Sequence, residues 1–180
     1  MLARFFSGVA VIFGAAFALG FVLPDQTHVE REIVINAPSE KIYALVSDFN
    51  AWDGWSPLAE TNPYAELSLS GGGVGQRMEW RSNHLQMASG TQEIVAMAEP
   101  ARMVSRISVN DMGAADAAFT LVPTDDGGTK VIWSFDSNMR DSVPIYLQPI
   151  ATYLGYFADP VLGPAYEQGL ANLKRVAEAG

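Results

Sequence analysis

The feature that most constrains the fold is a series of strand-length segments separated only by short turns. Six such segments are predicted, at Ala65–Ser70, Gly75–Ser82, Ala88–Ala98, Met103–Val109, Ala115–Val122 and Thr129–Ser137. Turn formers stand between them, most clearly at Gly71–Gly73, Glu99–Pro100 and Pro123–Gly128. A parallel pair of strands needs a crossover of about a dozen residues or more, and these gaps are too short for one. Consecutive strands are therefore expected to pair antiparallel.

A further strand and a short helix precede this series. His28–Ala37 is predicted to be a half-buried strand, because its residues alternate between two faces. One face carries Val29, Arg31, Ile33 and Ile35. Pro38–Glu40 ends the strand and starts a helix, in which Ser39 is the expected N-cap. Asp48–Pro57 is rich in aromatic residues and turn formers, so we expect a short second helix or a tight turn there.

The chain is predicted to end in a long helix. Apolar residues recur at three- to four-residue spacing, at Leu162, Tyr166, Leu170, Leu173 and Ala177. Pro164 suits the first turn of this helix. Prolines interrupt residues 138–160, so any helix there is expected in short pieces. The order of strand, one or two helices, six strands and long helix indicates an α+β fold, in which a curved antiparallel sheet holds the C-terminal helix.

The N-terminus carries a separate apolar run. No charged residue occurs from Phe5 to Leu23, and a helix of this length approaches the ~30 Å hydrocarbon core of a bilayer. We predict a transmembrane anchor in residues 1–24 and a domain in residues 25–180. Arg4 before the run places that domain outside the cytoplasm, or in the periplasm of a bacterium. The alternatives are a secretory signal cleaved at Ala16–Ala18, which would release the domain, and a buried N-terminal helix.

Charge and composition exclude several classes of function. The chain carries a net charge of −9, whereas nucleic-acid binding requires clustered Lys and Arg, so no nucleic-acid partner is expected. Arg4 is the single charged residue before Asp25, which leaves twenty acidic and ten basic residues in the domain. The absence of cysteine excludes disulfides, thiol nucleophiles and cysteine-ligated metals. The two histidines, His28 and His84, lack metal-ligand spacing, so neither a metal nor another cofactor is predicted.

Four segments carry a resemblance to a known family: Glu32–Tyr43, Val46–Pro57, Asp125–Trp133 and Tyr166–Lys174. They are similar, in order, to the opening strand and helix, the following helix, the entry to the last strand and the C-terminal helix of START-like helix-grip (SRPBCC) proteins. Within that superfamily the chain resembles the polyketide cyclase/dehydrase-type branch. The resemblance covers His28–Glu178. It implies a seven-stranded sheet around a long helix, with a cavity that holds an apolar or amphipathic small molecule.

The predicted ligand-binding residues are apolar, aromatic or methionine side chains on inward-facing positions. For example, Met78 and Trp80 alternate with Arg77, Glu79 and Arg81, so they are expected to face the interior. The predicted set is Trp52, Trp55, Met78, Trp80, Gln92, Ile94, Phe119, Trp133, Met139, Tyr153 and Phe157. Each of these side chains could equally be ordinary core. The segment from Tyr153 to Phe157 could act as a lid or pack on the membrane surface beside the anchor.

Two functions follow from this pattern. The first is a membrane-tethered, non-catalytic protein that binds a hydrophobic small molecule or lipid, such as a polyketide-like compound. The second is an enzyme of cyclase or dehydratase type, in which Tyr43, Gln92 or Asp48 would orient and polarise a ligand. No catalytic constellation is recognisable, and Asp48 and Glu93 are the best candidates for a general acid or base. The sequence does not determine an oligomeric state.

Overall fold

The computed structural model describes residues 2–57, 66–82, 89–109, 113–141 and 143–179, with side chains from residue 11 onward. Its strands are β1 (Gln26–Ile35), β2 (Glu66–Ser70), β3 (Arg77–Arg81), β4 (Gly90–Ala98), β5 (Arg102–Val109), β6 (Ala114–Pro123) and β7 (Thr129–Asn138). Its α-helices are α1 (Leu2–Leu19), α2 (Ser39–Val46), α3 (Gln148–Gly155) and α4 (Ala158–Glu178). Two 3-10 helices occupy Phe49–Gly54 and Ile145–Leu147. Each strand boundary lies within two residues of its predicted position.

The strands form one antiparallel sheet with the order β1-β7-β6-β5-β4-β3-β2. This arrangement confirms the predicted seven-stranded antiparallel sheet. Strands β2 to β7 pair in chain order, and β1 pairs with β7, so that β1 and β2 are the two edge strands. Directly opposed residues in an antiparallel pair point to the same side of the sheet. The register pairs Val29 with Phe135 and Arg31 with Trp133, and the residues between them face the other way. The predicted alternation along β1, with Val29 and Arg31 on one face of the strand, is therefore confirmed.

The inner face of the sheet is the one that packs against α2, the Phe49–Gly54 helix and α4. The long helix α4 lies along β1 and buries one stripe of its surface. The buried residues of that stripe are Gly163, Tyr166, Gly169, Leu170, Leu173 and Ala177. Four of the five predicted apolar positions are therefore buried, whereas Leu162 is half-buried.

Two predicted helix boundaries are wrong. Helix α2 has Pro38 as its N-cap, and Ser39 is its first residue. The Ser39 hydroxyl is buried 3.1 Å from the hydroxyl of Thr129 in β7, so this side chain joins the helix to the sheet instead of capping it. Helix α4 begins at Ala158, so Pro164 lies inside the helix and not in its first turn. Proline has no N–H to donate to the carbonyl four residues earlier, and that position therefore lacks one helical hydrogen bond.

The N-terminal helix is the part of the prediction that the structure does not support. In the described part of the chain, no helix has both the length and the apolar character needed to cross a bilayer. The predicted anchor Phe5–Leu23 falls partly on residues 1–10, whose side chains lie outside the described residues. The anchor remains a prediction.

Candidate ligand-binding site

A cluster of stacked aromatic rings fills the space between the inner face of the sheet and α4. The indole of Trp133 in β7 stacks on Tyr166 of α4, with ring centroids 3.9 Å apart and planes 12° apart. Phe119, its neighbour in β6, stacks on the same indole at 4.7 Å. Trp52 and Trp55 meet Phe119 and Trp133 edge-on, at 5.7–6.4 Å, and meet each other in a tilted arrangement at 5.1 Å. Four predicted residues, Trp52, Trp55, Phe119 and Trp133, thus form one buried cluster.

The two tryptophans of the Phe49–Gly54 region are positioned by the end of α2. The indole N–H of Trp52 donates to the carbonyl of Val46, and that of Trp55 donates to the carbonyl of Leu45, each at 3.1 Å. The last carbonyls of a helix lack partners within the helix. The two indoles therefore satisfy the C-terminal end of α2 while their rings enter the core.

Two buried polar groups have no such partner. In the ranges that the structure describes, neither the indole N–H of Trp133 nor the hydroxyl of Tyr43 has a hydrogen-bond partner. Both residues are more than nine-tenths buried, and burial raises the pKa of Tyr43. A buried donor without an acceptor costs about 1–3 kcal/mol. Among the described residues, each of these two groups is therefore an unsatisfied donor within the buried core.

Gln76 is a functional-site neighbour that the sequence analysis missed. Its side-chain oxygen accepts from the backbone N–H of Phe49 at 2.9 Å, and its amide donates to Asp48 at 2.7 Å. Asp48 also accepts from the backbone N–H of Asn50 and so caps the Phe49–Gly54 helix. The Gln76 hydrogen bond is the main reason why the pKa of Asp48 lies below its ordinary value. Asp48 is thus an ionised structural cap, which argues against a role as general acid.

A short polar ladder crosses the inner face of the sheet. The amide of Gln92 in β4 donates to the hydroxyl of Ser105 in β5 at 2.8 Å, and Ser105 donates to the carbonyl of Ala117 in β6 at 3.4 Å. Gln92 and Ser105 are both buried, and Ile94 lies beside them on the same face. Gln92 was predicted as a polar group of the site, whereas Ser105 was not, because nothing local distinguishes it from other serines.

A surface groove opens at one side of the aromatic cluster. Its volume is about 220 Å³, below the roughly 300–1,000 Å³ of typical ligand pockets. It lies between the Phe49–Gly54 helix and strands β2 and β3, and its lining is Phe49, Trp52, Asp53, Ser56, Leu67, Leu69 and Met78. Trp52 and Met78 were predicted site residues. Leu67 and Leu69 lie opposite Trp80 and Met78 in the β2–β3 register, so all four share the inner face.

The remaining predicted residues do not line this groove. Trp80 is half-buried and packs over Gly90 in β4. Met139 lies against Gly155 of α3, and the hydroxyl of Tyr153 donates to the carbonyl of Ala16 in α1 at 2.6 Å. Phe157 is largely exposed. Met139, Tyr153 and Phe157 are thus associated with α3 and its contacts and not with the aromatic cluster.

Charged groups are arranged outside the aromatic cluster. Arg31 of β1 lies against Gly163 of α4 and donates to Asp159 and Glu167, one turn to either side, at 2.7–3.2 Å. These hydrogen bonds lower the pKa of Asp159. Glu93, the other candidate acid, is half-buried and pairs with Arg77. In the described ranges, no three potential metal-ligating side chains come together.

A model of the family described as polyketide cyclase/dehydrase and lipid transport matches residues 26–178. The chain belongs to this family. Together with the seven-stranded sheet and the C-terminal helix, the match places it in the START-like helix-grip superfamily, as the resemblance implied. No protein with a curated description matches this family member.

Solved structures share the fold of this family member at low sequence identity. A protein from Thermobifida fusca is 19% identical, with a TM-score of 0.59 over 83% of this chain and 92% of its own. A protein from Chromobacterium violaceum is also 19% identical, with a TM-score of 0.53 over 86% of this chain and 99% of its own. The di-domain ARO/CYC protein StfQ of the steffimycin biosynthetic pathway is 12% identical, with a TM-score of 0.60 over 85% of this chain and 51% of its own. Identities this low establish the fold alone.

Proposed function

We propose that this family member binds a hydrophobic or amphipathic small molecule, a lipid or a polyketide-like compound, without transforming it. The observation that carries the proposal is the groove beside the aromatic cluster, in which Trp52 and Met78 border both the open groove and the core. The family is described by lipid transport as well as by cyclase and dehydrase activity, which is consistent with this function.

The lining of the groove specifies the kind of molecule. Leu67, Leu69 and Met78 offer apolar contact, whereas Asp53 and Ser56 supply polar groups. A carboxylate beside the ligand disfavours an anionic head group, because like charges repel. The volume of about 220 Å³ accommodates one end of a chain or a small ring system and not a whole phospholipid. We therefore expect a neutral or zwitterionic amphiphile whose apolar end enters between the Phe49–Gly54 helix and β2.

The test uses quenching of tryptophan fluorescence by a neutral monoacylglycerol with a brominated acyl chain. Bromine quenches an indole on contact, and Trp52 lines the groove, so we expect saturable quenching of the full chain in detergent. Leu69→Arg places a charge in the groove and is expected to weaken binding about tenfold, equivalent to ~1.4 kcal/mol. Val74→Arg is the matched control, because Val74 is exposed and does not line the groove. Quenching that never saturates, or that is equal in the two variants, would contradict the proposal.

We also propose that residues 1–24 tether the domain to a membrane and that the domain lies outside the cytoplasm. The support is the uncharged run Phe5–Leu23, with Arg4 before it. Resistance of the membrane-bound protein to alkaline extraction would be the expected result. Sequencing of the mature N-terminus should begin at or near Met1, whereas a start near Leu19 would indicate a cleaved signal and refute the tether.

A cyclase or dehydratase activity is the second candidate. It is favoured by the buried donors of Tyr43 and Trp133, which have no partner in the described part of the chain, and by the likeness to a protein named as an ARO/CYC. Such groups can polarise a ligand carbonyl. Incubation with a linear poly-β-ketone analogue and product analysis would test this activity. Loss of turnover in Tyr43→Phe or Trp133→Phe, with binding retained, is the result that this second function predicts.

A further inference from the structure

Helix α3 turns its apolar stripe away from the protein. Leu147, Ile150 and Leu154 follow the three- to four-residue spacing of one helix face, and the same spacing continues to Phe157 and Val161. A helix of a soluble domain normally buries such a stripe. Here these side chains are 40%, 51%, 59%, 64% and 70% exposed, in that order. The residues of α3 that are buried are instead Pro149, Thr152 and Gly155.

The segment around this stripe has an unusual composition for this domain. No charged residue or histidine occurs from Val143 to Ala158, although the domain as a whole is strongly acidic. Tyr146 and Tyr156 are neighbours in sequence of stripe residues and are both more than half exposed. A contiguous exposed apolar surface of this kind marks an interaction site. Tyrosine is characteristic of the membrane–water interface, because its ring is apolar and its hydroxyl is polar.

The exposed stripe is joined directly to the apolar helix α1. The hydroxyl of Tyr153 in α3 donates to the carbonyl of Ala16 in α1 at 2.6 Å. Arg140 donates to the carbonyls of Gly20 and Leu23 at 2.9 and 2.6 Å, and to the hydroxyl of Thr152 in α3 at 3.0 Å. These hydrogen bonds hold the end of α1 and the residues that follow it against α3, so the exposed apolar side chains of both helices lie at the same end of the molecule.

We propose that the α3 surface, defined as the exposed side chains of residues 145–161, lies in the headgroup layer of the bilayer that α1 enters. The proposal rests on the membrane tether of the proposed function. Continuity with α1 makes the occupant a lipid surface and not a second copy of the chain. The α3 surface carries no Lys or Arg, and its single charged residue, Asp159, pairs with Arg31, so its binding depends on buried apolar area and not on attraction to anionic lipids. It should therefore bind zwitterionic lipid and resist high salt.

Because the chain contains no cysteine, one introduced cysteine can carry a fluorescent label at a chosen position. Full-length Leu154→Cys, labelled with the dye NBD, is reconstituted into phosphatidylcholine vesicles that contain lipids spin-labelled near the headgroup, and parallel vesicles with lipids spin-labelled deep in the acyl chain are used for a probe at Ile12, which lies near the middle of the run Phe5–Leu23. Ile12→Cys reports on α1, and Val74→Cys is an exposed control outside both surfaces. We expect blue-shifted emission and several-fold stronger quenching at Leu154 than at Val74, unchanged in high salt.

The outcomes separate this inference from the tether. Quenching at Ile12 with Leu154 at the level of Val74 would overturn the interfacial surface and leave the tether standing. Loss of quenching at Ile12 would overturn both. A blue shift at Leu154 that occurs without lipid quenching and rises with protein density would identify a second copy as the occupant, which also overturns the inference. Tyr156→Cys repeats the measurement at an independent exposed position.

Discussion

Replacement of Gly169 by alanine tests whether the aromatic cluster is as tightly fixed as its geometry indicates. A Cβ at this position would lie 2.7 Å from Cζ3 of Trp133 and 3.0 Å from Cδ of Pro57. Favourable carbon–carbon contacts are about 3.5–4.0 Å long, so the methyl group would be about 1 Å too close to the indole. Tyr166 and Phe119 stack on Trp133, which leaves the ring little freedom to move.

The expected magnitude combines two opposing effects. Inserting a methyl group into a packed core costs about 1–3 kcal/mol. Alanine within a helix gains about 1 kcal/mol over glycine, and Gly169 lies inside α4. We therefore expect Gly169→Ala to lower the free energy of unfolding by about 1 kcal/mol. Gly54→Ala is the control, because a Cβ there meets nothing within 4 Å, and it should be neutral or slightly stabilising.

The assay is urea unfolding of the detergent-solubilised full chain, monitored by tryptophan fluorescence. The slope of the free energy of unfolding against urea concentration is compared between variants. A second arm places Gly169→Ala in a Trp133→Phe background, where the smaller ring leaves room for the methyl group. The cost of Gly169→Ala should shrink there, which gives a coupling energy between the two sites. If Gly169→Ala is as stabilising as Gly54→Ala, or equally costly with and without Trp133, the tight packing inferred here is wrong.

Three further predictions concern polar groups. Asp48→Ala should lower the free energy of unfolding by about 1 kcal/mol at neutral pH. Because the pKa of Asp48 is depressed in the folded state, this contribution is lost as pH falls through that pKa. The free energies of unfolding of wild type and variant, measured by urea denaturation, should therefore converge in acid. Gly163→Ala should displace Arg31, since the new Cβ would overlap its guanidinium, and NMR titration should then find the pKa of Asp159 closer to its ordinary value. An unchanged pKa would show that Arg31 accommodates the methyl group. Tyr43→Phe should raise the melting temperature, because it removes a buried hydroxyl that has no partner in the described ranges, whereas a lower melting temperature would reveal a hidden partner.

The sheet was predictable because its signal is local. Alternation of Met78 and Trp80 with charged neighbours assigns each side chain to a face within a few residues, and the observed register confirms the assignment. Likewise, the spacing of Tyr166, Leu170 and Leu173 identified the buried stripe of α4 before any contact was known.

The candidate site was predictable only in part, because its details depend on partners distant in sequence. Ser39 has the residue type of an N-cap, but its hydroxyl meets Thr129 across the core. Gln76 holds Asp48 and the Phe49 backbone, a role that nothing in its own neighbourhood indicates. Aromatic content showed that Trp52 and Trp133 would be buried, but not that one would line a groove while the other would stack within the core.

The contacts of Arg140 have a consequence for transport. Helix α1 ends at Leu19 and β1 begins at Gln26, so residues 20–25 are the whole connection between them. Even fully extended, these residues would span only about 20 Å, and Arg140 fixes two of them to the domain. If α1 is anchored as proposed, the domain cannot diffuse to a second membrane. Such a protein would collect and release its ligand at a single bilayer, and movement of that ligand across an aqueous compartment would require a separate, freely diffusing carrier.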